Sequence, residues 1–397
     1  MCIFEGEDGC SMKKYEFLSP ETIIYGKDAL LDSGDKIKTF GDKALIVTDQ
    51  MMTRLGYTKK ITDILQDKGI EHCIYDEVND EPIDLMIQKG AKIYKENNCE
   101  FLITLGGGSP IDAAKAIGIL VTNPGKISDY MGQEKVKNAI PPLVAIPTTA
   151  GTGSEATKFT IITNTESDVK MLVGSPLILP DMAIVDCCLT LSVPPDLTAA
   201  TGIDALTHAI EAYTSVKSQP LSDQFALSAI RRIAKNLKAA CINGNDKEAR
   251  DEMMLASLEA GIAFSNSSVT LVHGMSRPIG AVFHIPHGIS NAVLLPTCME
   301  YAVEGAPERF AQVAKAMGVS EDYDDLELAK EGAKMVKKLC EDIKIPKVIE
   351  LGIDKEEFLK YTDKMAEDAL ASGSPGNTYR APSKEDIIKI YEEIISN

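Results

Sequence analysis

The sequence predicts two structural parts: an α/β domain with a doubly wound parallel sheet, followed by an all-helical domain. Two patterns carry this prediction. In the first half, short runs rich in Ile, Leu and Val alternate with amphipathic runs, which is typical of parallel strands covered by helices on both faces. After about residue 190 the strand signals fade, and helical periodicity continues over most of the remaining chain.

The elements follow in order along the chain. Strands are predicted at 22–26, 43–49, 71–78, 99–105 and 142–149, and helices at 51–68, 82–97 and 110–121. The stretch 156–186 contains a hairpin signal around "NTESD" and a further strand, "MAIVD". Helices are then predicted at 221–242, 247–264, 306–317, 323–342 and 384–395. The Pro- and Gly-marked "SVPPDLTAATG" separates an α/β domain (12–188) from a helical domain (189–397), and 1–11 reads as a loose extension with Met12 as an alternative start.

Composition limits the possible partners. The chain has 397 residues, of which 59 are acidic and 41 basic, and its formal charge is −18. Such a charge argues against binding to nucleic acid or to an anionic membrane. No apolar run reaches membrane-spanning length, and the N-terminus lacks a secretory pattern. The nine cysteines form no CxxC pair, which is the usage of a reduced, cytoplasmic protein.

A strand, three glycines and a helix follow one another in "FLITLGGGSPIDAAKAIGIL". The glycines at 106–108 allow a sharp turn and close approach to a ligand. Ser109 is the expected N-cap, Pro110 suits the first helical position, and Asp112 stands where a capping-box acid belongs. The free N–H groups at such a helix start bind phosphate oxygens. A tight connection without a ligand is the alternative.

Two further segments suggest a dinucleotide. In "AIPTTAGTGSEAT" (145–157), Thr148, Thr149 and Ser154 supply hydroxyls among small residues after a strand, which suits a diphosphate or a ribose. A flexible turn is the alternative. Asp49 ends the strand "ALIVTD", where a carboxylate can accept from ribose hydroxyls and repel a 2′-phosphate. It is equally suited to be a helix N-cap.

The helical run "TGIDALTHAIEAY" contains two residues that do not fit an apolar helix. Asp204 and His208 are four apart, so they share one helical face. The structural alternative is an ordinary helix capped by Thr201 or Gly202, with the Asp in its first turn and the His hydrogen-bonded in the core.

Three of the five histidines crowd into "LVHGMSRPIGAVFHIPHGIS". His273 and His287 are each followed by Gly, which indicates close backbone approach around something bound. With Asp204 and His208 they form a set of oxygen and nitrogen donors without sulfur, suited to iron(II), zinc, manganese, cobalt or nickel. His72 lies in a predicted strand and is expected to be structural.

Four motifs, in order, resemble the iron-containing (group III) alcohol dehydrogenases: "GGGSPIDAAKAIG", "IPTTAGTGSEAT", "TGIDALTHAIEAY" and "LVHGMSRPIGAVFHIPHG". The resemblance extends from about residue 15 to the end and implies a Rossmann-like domain before the helical one. It implies metal ligands at Asp204, His208, His273 and His287. It also implies dinucleotide contacts from Asp49, Gly106, Gly107, Gly108, Ser109, Asp112, Thr148, Thr149, Thr152, Ser154, Lys170 and Leu189.

The resemblance implies an NAD(H)-linked, metal-dependent alcohol dehydrogenase or aldehyde reductase. Hydride would pass between a small primary alcohol or diol and nicotinamide C4, at a metal between the two domains of a cytoplasmic homodimer or larger homo-oligomer. Four protein ligands would close a tetrahedral zinc site, so iron(II) is the expected metal and zinc the alternative. Asp49 would favour NAD over NADP.

One residue departs from the family pattern. Many members carry a histidine four residues after the third ligand, implicated in proton transfer, where this chain has Arg277. An arginine stays protonated and cannot act as a base. His284 is the nearest histidine in sequence that could take the role. Pocket size is expected to depend on Phe159, Phe264 and Val269.

Two other functions remain open. A dehydroquinate-synthase-like lyase also uses NAD and a metal, but it would need a cluster of Lys and Arg for its phosphorylated substrate, and the helical half shows none near the ligands. A regulatory protein that binds metal and NAD without turnover is the second alternative.

Overall fold

The computed structural model describes residues 14–167, 169–320 and 323–396. The predicted extension at 1–11 and Met12 lie outside these residues. The fold class is confirmed: a parallel sheet with helices on both faces is followed by a helical part.

The strands are β1 (Thr22–Tyr25), β2 (Lys43–Thr48), β3 (Glu71–Tyr75), β4 (Phe101–Gly106), β5 (Gly132–Gln133), β6 (Leu143–Pro147), β7 (Phe159–Asn164), β8 (Val169–Gly174) and β9 (Met182–Val185). The helices of the first part are α1 (Gly34–Lys38), α2 (Gln50–Arg54), α3 (Tyr57–Asp67), α4 (Asp84–Glu96) and α5 (Gly108–Thr122). Those of the second are α6 (Pro195–Thr214), α7 (Pro220–Ile242), α8 (Lys247–Ser265), α9 (Leu271–Phe283), α10 (His287–Ala302), α11 (Pro307–Met317), α12 (Asp325–Asp342), α13 (Lys355–Ala371) and α14 (Lys384–Ser396).

The large sheet has six parallel strands in the order β1-β9-β6-β4-β2-β3. From β2 the chain moves outward to β3 and then returns to β4 on the other side of β2. Such a switch point opens a crevice at the carboxyl ends of the two central strands. Because Thr48 of β2 pairs with Leu105 of β4, Asp49 and Gly106 leave the sheet side by side. The topology thus brings two predicted cofactor residues to one edge.

Alternate residues of the central strands face opposite layers. Leu45 packs with Ile117 of α5 on one face, while the next residue, Ile46, packs with Ile61 of α3 on the other. All four side chains are fully buried. Both faces of the sheet are therefore covered, which explains why its strands read as continuous apolar runs.

A smaller sheet contains the predicted hairpin. Strands β7 and β8 pair antiparallel around the predicted hairpin position, and the short β5 joins β8 in parallel. The start of β7 and the turn before it contact the helical part, where the ring of Phe159 stacks on that of Phe264. Gly153 adopts a left-handed conformation (φ +58°), and a Cβ there would meet the Cα of Gly261 on α8 at 2.5 Å. Only glycine at both positions permits this approach.

Two predicted helix boundaries are wrong. The helix expected at 51–68 is interrupted at Gly56, whose φ of 78° ends α2 and begins α3. The helix expected to start near Thr201 begins at Pro195, because the proline suits a first helical position and the residues after it continue the helix. Thr201 and Gly202 therefore lie inside α6, and Asp204 lies in its middle rather than in its first turn. Among the described residues, no helix combines the length and apolarity needed to span a bilayer.

Candidate metal centre and cofactor cleft

Helix α6 presents a buried carboxylate and a buried imidazole. Asp204 is 3% exposed and His208 is 6% exposed, although the remainder of the helix is mostly Ala, Ile and Leu. His208 Nδ1 lies 3.9 Å from Asp204 Oδ2, one helical turn away. Two polar side chains are therefore buried in the apolar core, although the packing of this helix does not require them.

Helices α9 and α10 bring the other two predicted ligands to the same point. Nε2 of His273 lies 3.7 Å from Asp204 Oδ1, and Nε2 of His287 lies 3.8 Å from the same oxygen. Donor atoms of Asp204, His208 and His273 all lie within 4.8 Å of one another. His287 occupies the open side, with 48% of its side chain exposed.

The charges at this point depend on one another. Burial would raise the pKa of Asp204, but the neighbouring His208 and His273 hold it below its usual range. Burial lowers the pKa of His208 to about 3. Burial also opposes a charge on His273, but the carboxylates of Glu211 and Asp204 raise its pKa to about 9. The cluster thus favours two anions with positive charge placed between them.

Glu211 is a functional candidate that sequence reasoning missed. Its Oε2 lies 2.5 Å from His273 Nδ1, while its Oε1 accepts from the Thr270 hydroxyl at 2.8 Å and from the Val272 N–H at 2.6 Å. This buried carboxylate accepts a hydrogen bond from Nδ1–H of His273 and leaves Nε2 directed at Asp204. The available signal was its spacing, since 204, 208 and 211 share one face of α6.

Asn291 is the second residue that sequence reasoning missed. Its Nδ2 donates to Asp204 Oδ1 at 2.6 Å and lies 3.2 Å from Nε2 of both His273 and His287. Three candidate donor atoms therefore point at one position. Asn291 follows His287 by four residues on α10, so the same helical spacing was its only signal.

A divalent metal fits these residues. Nδ1 of His208 is buried without a hydrogen-bond partner, which is costly for a polar atom. Glu211 orients His273 as outer carboxylates commonly orient metal-bound imidazoles. One carboxylate and imidazole nitrogens form a set that suits iron(II) or zinc.

The glycine turn differs from its expected capping. Helix α5 begins at Gly108, and Gly107 is its N-cap, without a side-chain capping bond. Ser109 is therefore not the N-cap, and Pro110 is the third helical residue rather than the first. Because no side chain caps this end, the first N–H groups remain available to a ligand.

Asp112 is not a capping-box acid. Its carboxylate accepts from the Ser154 hydroxyl at 2.7 Å and from the Ile161 N–H at 2.9 Å. Fully buried Lys115 donates from the same helix to the Ser154 carbonyl and hydroxyl and to the Thr157 hydroxyl. The side chains of Asp112 and Ser154 thus join α5 to the loop at 148–157, and their role as cofactor contacts stays a prediction.

The remaining predicted cofactor residues surround the same edge. Asp49 caps α2 by accepting from the Met52 N–H at 2.9 Å, and its Oδ2 would lie 3.3 Å from a Cβ at Gly106. Both suggested roles of Asp49 are therefore open to it. The Thr148 N–H donates to the Gly106 carbonyl, and Gly107 and Gly108 face the side chains of Thr149 and Thr152.

Two predicted cofactor residues have other neighbours. Lys170 lies on β8, where its Nζ pairs with Glu81 at 2.9 Å. Leu189 is 1% exposed and packs in the apolar core beneath the sheet. Their contacts with a dinucleotide stay predictions that rest on the resemblance.

The aromatic residues expected to shape the pocket lie beside the ligands. The ring of Phe264 stacks on His208, with 4.2 Å between centroids and 14° between planes. Phe159 stacks on Phe264 in turn. His284, by contrast, is exposed at the left-handed C-cap of α9, and no hydrogen bond, ion pair or ring contact joins it to a candidate ligand in the described part of the chain.

Comparisons with known proteins agree with this geometry. The model of the iron-containing alcohol dehydrogenases matches 20–187, and the model of the C-terminal part of that family matches 198–395. The chain belongs to the iron-containing alcohol dehydrogenase family. The predicted family and the alcohol dehydrogenase class of oxidoreductase are therefore confirmed.

Individual relatives cover nearly the whole chain. It is 38% identical over 388 residues to 1,3-propanediol dehydrogenase of Citrobacter freundii, covering 96% of this chain and 99% of that protein. It is 35% identical over 384 residues to NAD-dependent methanol dehydrogenase of Bacillus methanolicus, with coverage of 96% and 99%. A crystal structure of 1,3-propanediol oxidoreductase superposes with a TM-score of 0.93 at 38% identity, covering 96% of this chain and 100% of that one.

Glu211→Gln should weaken metal binding by reversing the His273 tautomer. Val272 N–H can only donate, so the amide oxygen must face it and the amide NH₂ must face His273 Nδ1. Nδ1 must then accept, and Nε2 must carry the proton. We expect metal affinity, measured by chelator competition, to fall about 10–100-fold.

Nitrogen-15 shifts of the histidine rings in metal-free protein should show the loss of the Nδ1 proton of His273 directly. Thr270→Val removes a different bond to Glu211 and serves as the control, because it leaves the carboxylate facing His273. Unchanged affinity and an unchanged ring tautomer in Glu211→Gln would contradict this assignment.

Glu155→Gln should remove a pH-dependent loss of stability. Burial raises the pKa of Glu155 from 4.5 to about 7 in the fold. The folded state therefore holds an extra proton between these values, and the free energy of unfolding falls as pH rises through this window. We expect the wild type to lose on the order of 1–3 kcal/mol relative to the variant between pH 5 and pH 7.5.

Urea unfolding of both proteins at several pH values measures this difference. Glu166→Gln, at an exposed position in the β7–β8 turn, is the control and should show no such slope. A constant difference between wild type and Glu155→Gln would mean that Glu155 ionises in the fold as freely as in the unfolded chain.

Proposed function

We propose that this protein is a metal-dependent, NAD(H)-linked alcohol dehydrogenase or aldehyde reductase. It transfers hydride between a small primary alcohol or diol and nicotinamide C4, in the cleft between domains 12–188 and 189–397. The single observation that carries the proposal is the convergence of Asp204 with three imidazoles on helices next to the glycine turns. A Cβ at Gly151 would lie 2.7 Å from Thr201, three residues before Asp204, so the two sites adjoin.

The chain's own residues have distinct tasks in this proposal. Asp204, His208, His273 and His287 would hold the metal, and Glu211 orients the third of them. Bound there, a divalent metal supplies Lewis acidity toward a substrate oxygen, and the nicotinamide accepts or donates the hydride.

The cofactor end is built from the backbone. In this proposal the first N–H groups of α5 bind diphosphate oxygens, and Asp49 Oδ2 accepts from a ribose hydroxyl; the uncapped start of α5 and the closeness of Asp49 to Gly106 support it. Phe264 and Phe159 exclude water from one side of the metal centre.

The names of the relatives support the substrate class and the cofactor, since one is a 1,3-propanediol dehydrogenase and another an NAD-dependent methanol dehydrogenase. Iron(II) is the proposed metal and zinc the alternative, because four protein ligands leave a tetrahedral ion no open position. A cytoplasmic location and a homodimer or larger homo-oligomer remain part of the proposal.

Replacing His273 or His287 with Ala should abolish turnover while dinucleotide binding survives, because these ligands lie on α9 and α10 of the helical part, whereas the glycine turn belongs to the sheet part. Loss of an outer carboxylate costs about 10–100-fold, and loss of a direct ligand should exceed that. Steady-state kinetics measures turnover, metal analysis measures the metal content, and titration with NADH measures dinucleotide binding.

His284→Asn is the matched control, because His284 belongs to the same segment and Asn tolerates its left-handed backbone. If either Ala variant keeps its metal and its activity, the ligand assignment is wrong. If the wild type binds metal and NADH but turns over no alcohol or aldehyde in a broad panel, the binding-protein alternative replaces the dehydrogenase.

Cofactor preference should depend on the charge of Asp49 and not on its capping bond. Asp49→Ser keeps an N-cap oxygen but removes the charge, whereas Asp49→Ala removes both. We expect both variants to narrow the preference for NADH over NADPH in kcat/KM, and only Asp49→Ala to lower the thermal midpoint appreciably. A wild-type enzyme that prefers NADPH would reverse the assignment.

A further inference from the structure

Arg277 lies one helical turn beyond His273 on α9, so the two side chains share a face. It is only partly exposed, and burial lowers the pKa of its guanidinium. The ring centroids of His273 and His287 lie 5.3 Å apart, and His287 occupies the open side of the metal centre, so the face of α9 that Arg277 shares with His273 adjoins that side. A charged group therefore stands beside the position where a substrate must enter.

Within the described part of the chain, Arg277 lacks a close anionic partner. The one hydrogen bond of the guanidinium in the described structure is a long contact of 3.5 Å from Nη1 to the hydroxyl of Ser374, which is neutral. None of the described carboxylates forms an ion pair with it, although the chain has 59 acidic residues. Burying a guanidinium in this state is costly, so a missing anion is indicated.

Other arginines in comparable surroundings are satisfied. Arg309 pairs with Asp223 at 2.7 Å, and Arg232 pairs with two glutamates. Arg250 has no carboxylate partner, but it donates three hydrogen bonds to backbone and hydroxyl oxygens. Arg277 has neither a carboxylate partner nor several hydrogen bonds to neutral oxygens among the described residues. Its N–H groups are therefore available to a group from outside the chain.

The cofactor diphosphate is a weaker candidate for this group. Its predicted cradle at 106–109 has its own backbone donors, and no described contact joins Arg277 to that turn. Substrate, by contrast, must approach the metal centre where His287 is exposed.

We propose that Arg277 binds an oxyanion of the substrate, so that the preferred substrates are short aldehydes and alcohols that carry a carboxylate or a sulfonate. This proposal rests on the dehydrogenase function proposed above and names its substrate class. A planar guanidinium suits such groups because it can donate two parallel hydrogen bonds to two oxygens.

The test compares substrates that differ in charge. Succinic semialdehyde carries the carboxylate, 3-oxopropanesulfonate carries the sulfonate, and butanal is the neutral match. Oxidation of NADH by the metal-loaded wild type should give a kcat/KM for at least one acid that exceeds that for butanal by about tenfold or more. The acid that is preferred over butanal shows whether the bound oxyanion is a carboxylate or a sulfonate.

Arg277→Gln should lower kcat/KM for the preferred acid about 10–100-fold, mainly through KM, and should affect butanal much less. Arg277→Lys keeps the charge but lacks the planar guanidinium that donates two parallel hydrogen bonds. Its kcat/KM for the preferred acid should lie between those of the wild type and Arg277→Gln. Arg231→Gln, which removes an exposed arginine of α7, is the matched control and should leave the preference intact.

A binding measurement separates this proposal from the dehydrogenase function. Succinate should raise the thermal midpoint of the NADH-loaded wild type and of Arg231→Gln but not of Arg277→Gln. If no aldehyde is reduced yet succinate still protects through Arg277, the proposed function fails and the anion site stands.

Two results would overturn the proposal. One is a wild type whose kcat/KM for butanal equals that for both acids and whose thermal midpoint does not rise with succinate. The other is an Arg277→Gln variant in which KM for NADH rises equally with every aldehyde, since Arg277 would then bind the cofactor's phosphates.

Discussion

The buried carboxylate of Asp204 is the constraint on which the helical part depends. Removing an ion from water costs several kcal/mol even after relaxation, so a charge at 3% exposure requires close compensation. That compensation comes from three different helices: His208 on α6, His273 on α9, and His287 with Asn291 on α10. These helices must therefore meet at one point, and the apolar residues around it supply the packing that offsets the cost.

The sheet part has a corresponding buried charge in Lys115. Its Nζ donates to the Ser154 carbonyl and hydroxyl, to the Thr157 hydroxyl and to the Phe159 carbonyl, so α5 holds the second glycine-containing loop from beneath. The same loop contacts α8 through Gly153. Because one loop is hydrogen-bonded to α5 and packs closely against α8, the cofactor edge and the metal centre have a defined separation, which hydride transfer between two bound molecules requires.

Charge balance differs between the two sides of the metal centre. On the inner side, every anion faces an imidazole or a backbone donor, as Glu211 shows with its three partners. On the open side, Arg277 has one weak neutral partner. The buried anions are thus paired within the protein, whereas the guanidinium on the open side is not. This pattern is expected of a binding site rather than of a structural core.

The sequence alone determined the sheet strands, most helices and the four candidate ligands, because these follow from local periodicity and from residue chemistry. It did not determine the start of α6 or the cap of α5, because these depend on how neighbouring residues continue the helix rather than on the motif itself. The contacts of Glu211 and Asn291 at the metal centre were not predicted from the sequence either. Glu211 meets His273 across 62 residues of chain, and only the packing of α6 against α9 places its oxygen 2.5 Å from Nδ1. Tertiary structure decides such contacts because a helical face shows which residues it presents but not which other helix they will meet.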